Sequence, residues 1–105
     1  MDELRIEASM VGTKTLKFRV VGELDVVTSE QLVGAMGEWL GIRECVIDLT
    51  ACGFVDSSGI RALLLCQQAI DPGGTMRLVG VAPNVERTLR LAGLQSVLEI
   101  SAGPD

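Results

Sequence analysis

Apolar and polar positions alternate from the start of the chain. Leu4, Ile6 and Ala8 are separated by Arg5 and Glu7, the period of a strand with one buried face. Leu16, Phe18 and Val20 alternate with Lys17 and Arg19 in the same way, and Gly12 within residues 9–14 makes the two runs a hairpin. The period then lengthens to that of a helix. Thr28 serves as its cap, with Gln31 three residues on completing a capping box. Leu32, Ala35, Met36, Trp39 and Leu40 form one face, which stops at Gly41. Residues 45–49 are near-uniformly apolar, as a central strand covered on its faces should be. A second helix beginning near Ser57 turns Ile60, Leu63, Leu64, Gln67 and Ile70 inward and ends at Asp71-Pro72-Gly73-Gly74. Met76, Leu78 and Val79 form another core strand. Pro83-Asn84 opens a third helix with Val85, Leu89 and Ala92 inward, closed by Gly93-Leu94. Residues 97–100 give a short final strand and 101–105 a tail. The predicted order is β-β-α-β-α-β-α-β. It describes one α/β domain over residues 1–105, a mixed sheet of about five strands backed by helices.

Composition narrows the function. The chain has 105 residues, 48% of them hydrophobic, enough for one real core. Its unbroken apolar runs are too short to cross a bilayer, and Met1-Asp2-Glu3-Leu4-Arg5 is no signal peptide, so a cytoplasmic protein is expected. A net charge of -5 opposes nucleic-acid binding, which depends on Lys and Arg neutralising phosphates. Phe18, Trp39 and Phe54 are the only aromatic residues, too few for a base-stacking platform.

Catalytic chemistry lacks its parts. The chain has no histidine, and the only lysines, Lys14 and Lys17, lie in the first hairpin. A serine nucleophile therefore has no evident base, and Val55-Asp56-Ser57-Ser58-Gly59 does not match the G-x-S-x-G elbow. Gly73-Gly74-Thr75 has neither the lysine nor the spacing of a phosphate-binding loop. Cys45, Cys52 and Cys66 lack C-x-x-C spacing, and Glu23 with Asp25 has no further ligands, so no metal or other cofactor is expected. Cys45 and Cys66 read as small core residues. Cys52 reads as a loop thiol with nothing basic beside it to lower its pKa. The expectation is a protein that is not an enzyme.

The informative stretch is Asp56-Ser57-Ser58-Gly59. It follows the strand of residues 45–49 and opens a helix, whose first N–H groups lack partners and whose dipole makes that end electropositive. Two readings stay open from the pattern alone. One is ordinary capping, in which Asp and Ser are common. The other is a regulatory hydroxyl, at which an attached phosphate would be well tolerated. Gly59 costs helix stability in the first turn but permits close backbone approach by a partner. Away from the expected core stripe, Arg61 and the strip Ala62-Leu65-Ala69 are expected on the surface as a docking face, unless another helix covers them.

At this point the sequence resembles a STAS domain, the fold of bacterial anti-sigma factor antagonists. The resemblance spans nearly the whole chain. It rests on Gly22-Glu23-Leu24-Asp25, on Val46-Ile47-Asp48-Leu49 leading to Phe54-Val55-Asp56-Ser57-Ser58-Gly59-Ile60, on Leu78-Val79-Gly80-Val81 and on Leu91-Ala92-Gly93-Leu94. It implies that the unphosphorylated protein binds an anti-sigma factor, itself a serine-protein kinase, and releases its sigma factor. It implies phosphorylation at Ser58, with Ser57 the alternative, and a serine phosphatase that resets the switch. It also implies a partner face of Glu23, Asp25, Thr28, Asp56, Ser57, Ser58, Gly59, Arg61, Ala62 and Leu65. Little chain follows Ile100, where many members add a helix, so thinner packing on one face is expected. The rival within the fold is an unphosphorylated scaffold subunit of a signalling or transport assembly. A phospho-acceptor receiver is opposed by the absence of any lysine after Lys17. Homodimerisation through the apolar strip stays open.

Overall fold

A computed structural model describes residues 5–39 and 41–104. The hairpin forms as its alternation requires. Strand β1 (Ile6–Met10) pairs antiparallel with β2 (Thr15–Val20), Ile6 opposite Val20 and Met10 opposite Leu16. Of the three apolar positions assigned to β1, Ile6 is buried, Ala8 is exposed, and Leu4 lies outside the described residues. Strand β2 continues parallel into β4 (Glu44–Asp48), β6 (Thr75–Val79) and β7 (Glu99–Ile100), giving a five-stranded mixed sheet of order β1-β2-β4-β6-β7. Helices α1 (Val26–Met36), α2 (Ser57–Ala69) and α3 (Pro83–Leu91) make the crossovers. Each crossover steps the same way across the sheet, so right-handedness puts all three helices on one face. Leu16, Phe18, Cys45, Ile47, Met76 and Leu78 point to that face and share one core with Leu32, Leu63 and Leu89 from the helices.

The opposite face carries charge in columns. Glu7 lies on β1, Lys17 and Arg19 on β2, Glu44 and Asp48 on β4, Arg77 on β6 and Glu99 on β7, so the sign alternates from strand to strand. Glu7–Arg19 (3.8 Å) and Glu44–Arg77 (3.5 Å) form cross-strand ion pairs. Val46 on this face is only 1% exposed although it is not part of the main core. The aliphatic stems of its long charged neighbours account for that cover.

Two strands were not expected. Strands β3 (Gly22–Leu24) and β5 (Cys52–Val55) pair with each other in parallel as a separate two-stranded sheet. At three and four residues each they are too short for periodicity to register. Cys52 therefore lies in a strand and is buried, not in a loop. Helix α1 begins after Asp25 rather than at Thr28, and it ends at Met36 with Gly37 as its cap rather than at Gly41. Gly34 and Gly37 weaken its last turn. Trp39 falls beyond the helix and is partly exposed, and Leu40 is outside the described residues. In α3, Ala92 caps the helix end exposed instead of packing inward, and a short 3-10 turn (Leu94–Ser96) precedes β7. Val97 is exposed and only Glu99–Ile100 pairs as a strand.

All three cysteines are buried and unpaired. Burial pushes the Cys45 and Cys66 thiols up to about 12 and raises that of Cys52 as well. A raised thiol favours the native state fully below the ordinary value of 9.0 and loses that contribution as pH climbs to about 12. Two results are therefore expected. Unfolding free energy from denaturant titrations stays level near neutrality and falls from pH 9 upward. Iodoacetamide near neutral pH labels none of the three until denaturant is added, and labelling of the native protein would contradict this account.

Candidate functional site

The small parallel sheet sets the site, because each of its strands feeds a helix. Leu24 at the end of β3 lies opposite Val55 at the end of β5. The next residues, Asp25 and Asp56, are the N-caps of α1 and α2, so two helix starts open side by side. The Asp56 N–H donates to the Leu24 carbonyl (3.2 Å) and ties the two openings together.

The caps are built differently. The Asp25 carboxylate accepts from the Val27 N–H (3.0 Å) and the Thr28 N–H (3.1 Å), and the Asp25 N–H donates to the Thr28 hydroxyl (2.9 Å), closing a capping box. The Thr28 hydroxyl in turn donates to the Glu23 carbonyl (2.6 Å). Thr28 is thus the third residue of α1 and fully buried, which removes it from the partner face. Gln31, assigned to the box, instead accepts from the Arg5 N–H (3.2 Å). Hydrogen bonds from the Thr28 amide and then its hydroxyl, with smaller help from Val27 and Arg5, hold the Asp25 carboxyl below its usual range despite some desolvation. The Arg5 guanidinium stands 3.8 Å from that carboxylate.

At α2 the Asp56 carboxylate accepts only from the Gly59 N–H (2.9 Å). The Ser57 and Ser58 N–H groups are left uncommitted, and neither serine hydroxyl is hydrogen-bonded among the described residues. Ser57 is exposed and Ser58 half-buried, so both are reachable from solvent. Gly59 is buried, and its role is internal to the chain. A Cβ there would lie 2.6 Å from the Leu24 carbonyl oxygen, so the close approach it permits is to β3 and not to a partner.

Along α2 the sequence-based face is corrected by one residue. Ala62 is 2% exposed and packs with Leu63 and Cys66 in the core, because α1 lies against this side of α2. Ile60, Leu64, Gln67 and Ile70, assigned inward, are only half-buried. The solvent-facing residues are Ser57, Arg61, Leu65, Gln68 and Ala69, with Leu65 40% exposed, so of the expected strip Leu65 and Ala69 face solvent and Ala62 does not. Of the ten residues assigned to the partner face, Glu23, Ser57, Arg61 and Leu65 are exposed and Asp25, Asp56 and Ser58 half-buried. Thr28, Gly59 and Ala62 are buried. Exposed apolar side chains near the two openings went unassigned: Val26 and Val27 in the first turn of α1, and Phe54 on β5. Their signal was two valines off the core stripe, at helix positions where polar residues are usual.

A family model described as STAS domain matches residues 8–104. This chain belongs to the STAS family. An anti-sigma factor antagonist from Mycobacterium paratuberculosis superposes on the STAS domain described here with a TM-score of 0.80 and 24% identity, over 91% of this chain and 83% of that one. Bacillus SpoIIAA in its phosphorylated form gives 0.72 and 21%, over 90% and 89%. A sulfate transporter family protein from Wolinella succinogenes gives 0.77 and 16%, over 90% and 82%. At these identities the likenesses establish the STAS fold, with its mixed sheet and three helices.

Proposed function

We propose that this STAS domain is a cytoplasmic anti-sigma factor antagonist, a regulated binding module rather than a catalyst. Unmodified, it docks on an anti-sigma factor that is also a serine-protein kinase, and the sigma factor is released. The face used is Glu23, Asp25, Ser57, Ser58, Arg61 and Leu65, with Asp56 and Gly59 shaping the backbone beneath. The kinase then ends the interaction by modifying Ser58. The Ser58 oxygen bonds to the γ-phosphorus of ATP, the bond from that phosphorus to the bridging oxygen breaks, ADP leaves, and the hydroxyl proton passes to the kinase. A serine phosphatase reverses the change by hydrolysis.

The observation that carries this reading is the pair of hydroxyls at the opening of α2 that have no hydrogen bond among the described residues, beside two N–H groups likewise unbonded. A hydroxyl needed only as a cap would be bonded to the helix, and Asp56 already performs that task. The reading is tested by incubation with the cognate kinase and ATP, followed by mass spectrometry of the peptide containing residues 56–61. Phosphate on Ser58, absent in Ser58→Ala, is the expected result. A peptide unmodified at both serines would favour the scaffold-subunit alternative, since a sulfate transporter family protein has the same fold and architecture alone does not choose.

A further inference from the structure

We infer that Arg61 is the intrachain counter-ion of the phosphorylated serine, so that modification both adds an anion to the docking face and withdraws a cation from it. The inference rests on the reading of Ser58 given above and concerns how that site is regulated.

Arg61 lies three residues after Ser58 and four after Ser57, on the exposed stripe of α2. Residues at these spacings are neighbours on a helix surface, and an acidic group N-terminal to a basic one is the favourable order. Helical side chains lean toward the N-terminus, so a long side chain at 61 covers the turn containing the serines. Arg61 is also uncommitted. Arg5, Arg19, Arg77 and Arg90 are held in ion pairs with Asp25, Glu7, Glu44 and Glu86, and Arg43 is bonded to the Pro72 carbonyl. Arg61 and Arg87 have no ion pair or hydrogen bond among the described residues, and of these two only Arg61 lies on α2. Among the described residues, an exposed guanidinium with no acid partner lies one turn along α2 from an unbonded hydroxyl.

The remaining charges around the opening of α2 cannot perform this task. Glu23, Asp25 and Asp56 are acidic, and Arg5 already faces the Asp25 carboxylate. A phosphate at Ser58 brings about -1.5 to -2 charges at neutral pH. With Arg61 folded back on it, the stripe changes from a free cation to a paired anion. The partner meets a surface altered in two charges by one modification.

The test uses the full chain with phosphoserine installed at position 58 during synthesis, compared with the same protein carrying Arg61→Gln and Arg61→Lys. The 31P chemical shift is followed against pH. With Arg61 present, the second phosphate pKa is expected about 0.15 to 0.4 lower than in Arg61→Gln, with Arg61→Lys recovering part of the difference. The gap should narrow with added salt. Equal pKa values for the Arg61 and Arg61→Gln proteins, with unchanged thermal midpoints, would overturn the inference. Because the phosphate is installed without a kinase, failure of a kinase to modify Ser58 counts against the functional reading and leaves this measurement standing.

Discussion

On the proposed function, the Ser58-phosphorylated protein is expected to bind an anti-sigma factor kinase at least about 100-fold more weakly than the unmodified protein, a loss of about 3 kcal/mol. The size follows from where the charge lands. Ser58 is half-buried at the opening of α2, with the Asp56 carboxylate one turn-start away and Glu23 and Asp25 across the adjoining opening of α1. A partner seated on this face strips water from a phosphate that keeps net negative charge even when paired with Arg61, beside the Asp56 cap. Burying a charge in an interface costs several kcal/mol unless the partner pairs it, so the estimate is a modest one. The fold itself should scarcely respond, because the Ser57 and Ser58 N–H groups and the dipole of a 13-residue helix accept an anion there. Calorimetric titration of both forms, with a thermal melt of each, checks the two halves together. Equal affinities would end the switch model. A large drop in melting temperature would replace it with one in which phosphorylation unfolds the helix start.

What the sequence revealed divides along physical lines. The five strands of the main sheet and the three helices were all expected. Only β2, β4, β6 and the helices bury a face over more than one repeat, since β1 buries Ile6 alone and β7 is two residues long. Leu16, Phe18 and Val20 announce β2 without ambiguity, and all three are fully buried. The small sheet was not legible. Gly22–Leu24 and Cys52–Val55 offer one or two inward positions each, and among the described residues they pair only with each other. Yet that sheet brings the two helix openings together, so the site's composition was readable and its construction was not. The cap of α1 was misplaced for a related reason. Thr28 with Gln31 fits the usual Ser/Thr-x-x-Glu/Gln signature, whereas the box that forms pairs Asp25 with a threonine at the third position, and the Thr28 hydroxyl is held there by the Glu23 carbonyl. The face of α2 was misjudged at Ala62 because the helix has two neighbours. A single inward stripe was assumed, whereas the sheet covers one side and α1 another.

Replacing Gly59 with alanine is expected to destabilise the protein by about 2 kcal/mol and to lower the melting temperature by about 10 °C. Helix propensity alone argues the other way, since alanine is favoured over glycine by up to about 1 kcal/mol in a helix. Packing decides the sign. The new Cβ would sit 2.6 Å from the Leu24 carbonyl oxygen and 2.9 Å from both Leu24 Cγ and Val55 Cγ1, closer than carbon atoms tolerate. The carbonyl has no free direction in which to retreat, because it accepts the Asp56 N–H that joins α2 to β3. Relief therefore means moving the first turn of α2 off the small sheet, which weakens that bond and shifts Ser57 and Ser58 with it. Gly34→Ala provides the internal comparison. Gly34 lies in the neighbouring, parallel helix with nothing within 4 Å of its Cβ position, so propensity acts unopposed and the variant should gain about 0.5 to 1 kcal/mol. Denaturant unfolding of the two variants should give shifts of opposite sign. If Gly59→Ala also gained stability, α2 would not be seated on β3 as described, and the joined helix openings on which the site depends would have no structural basis.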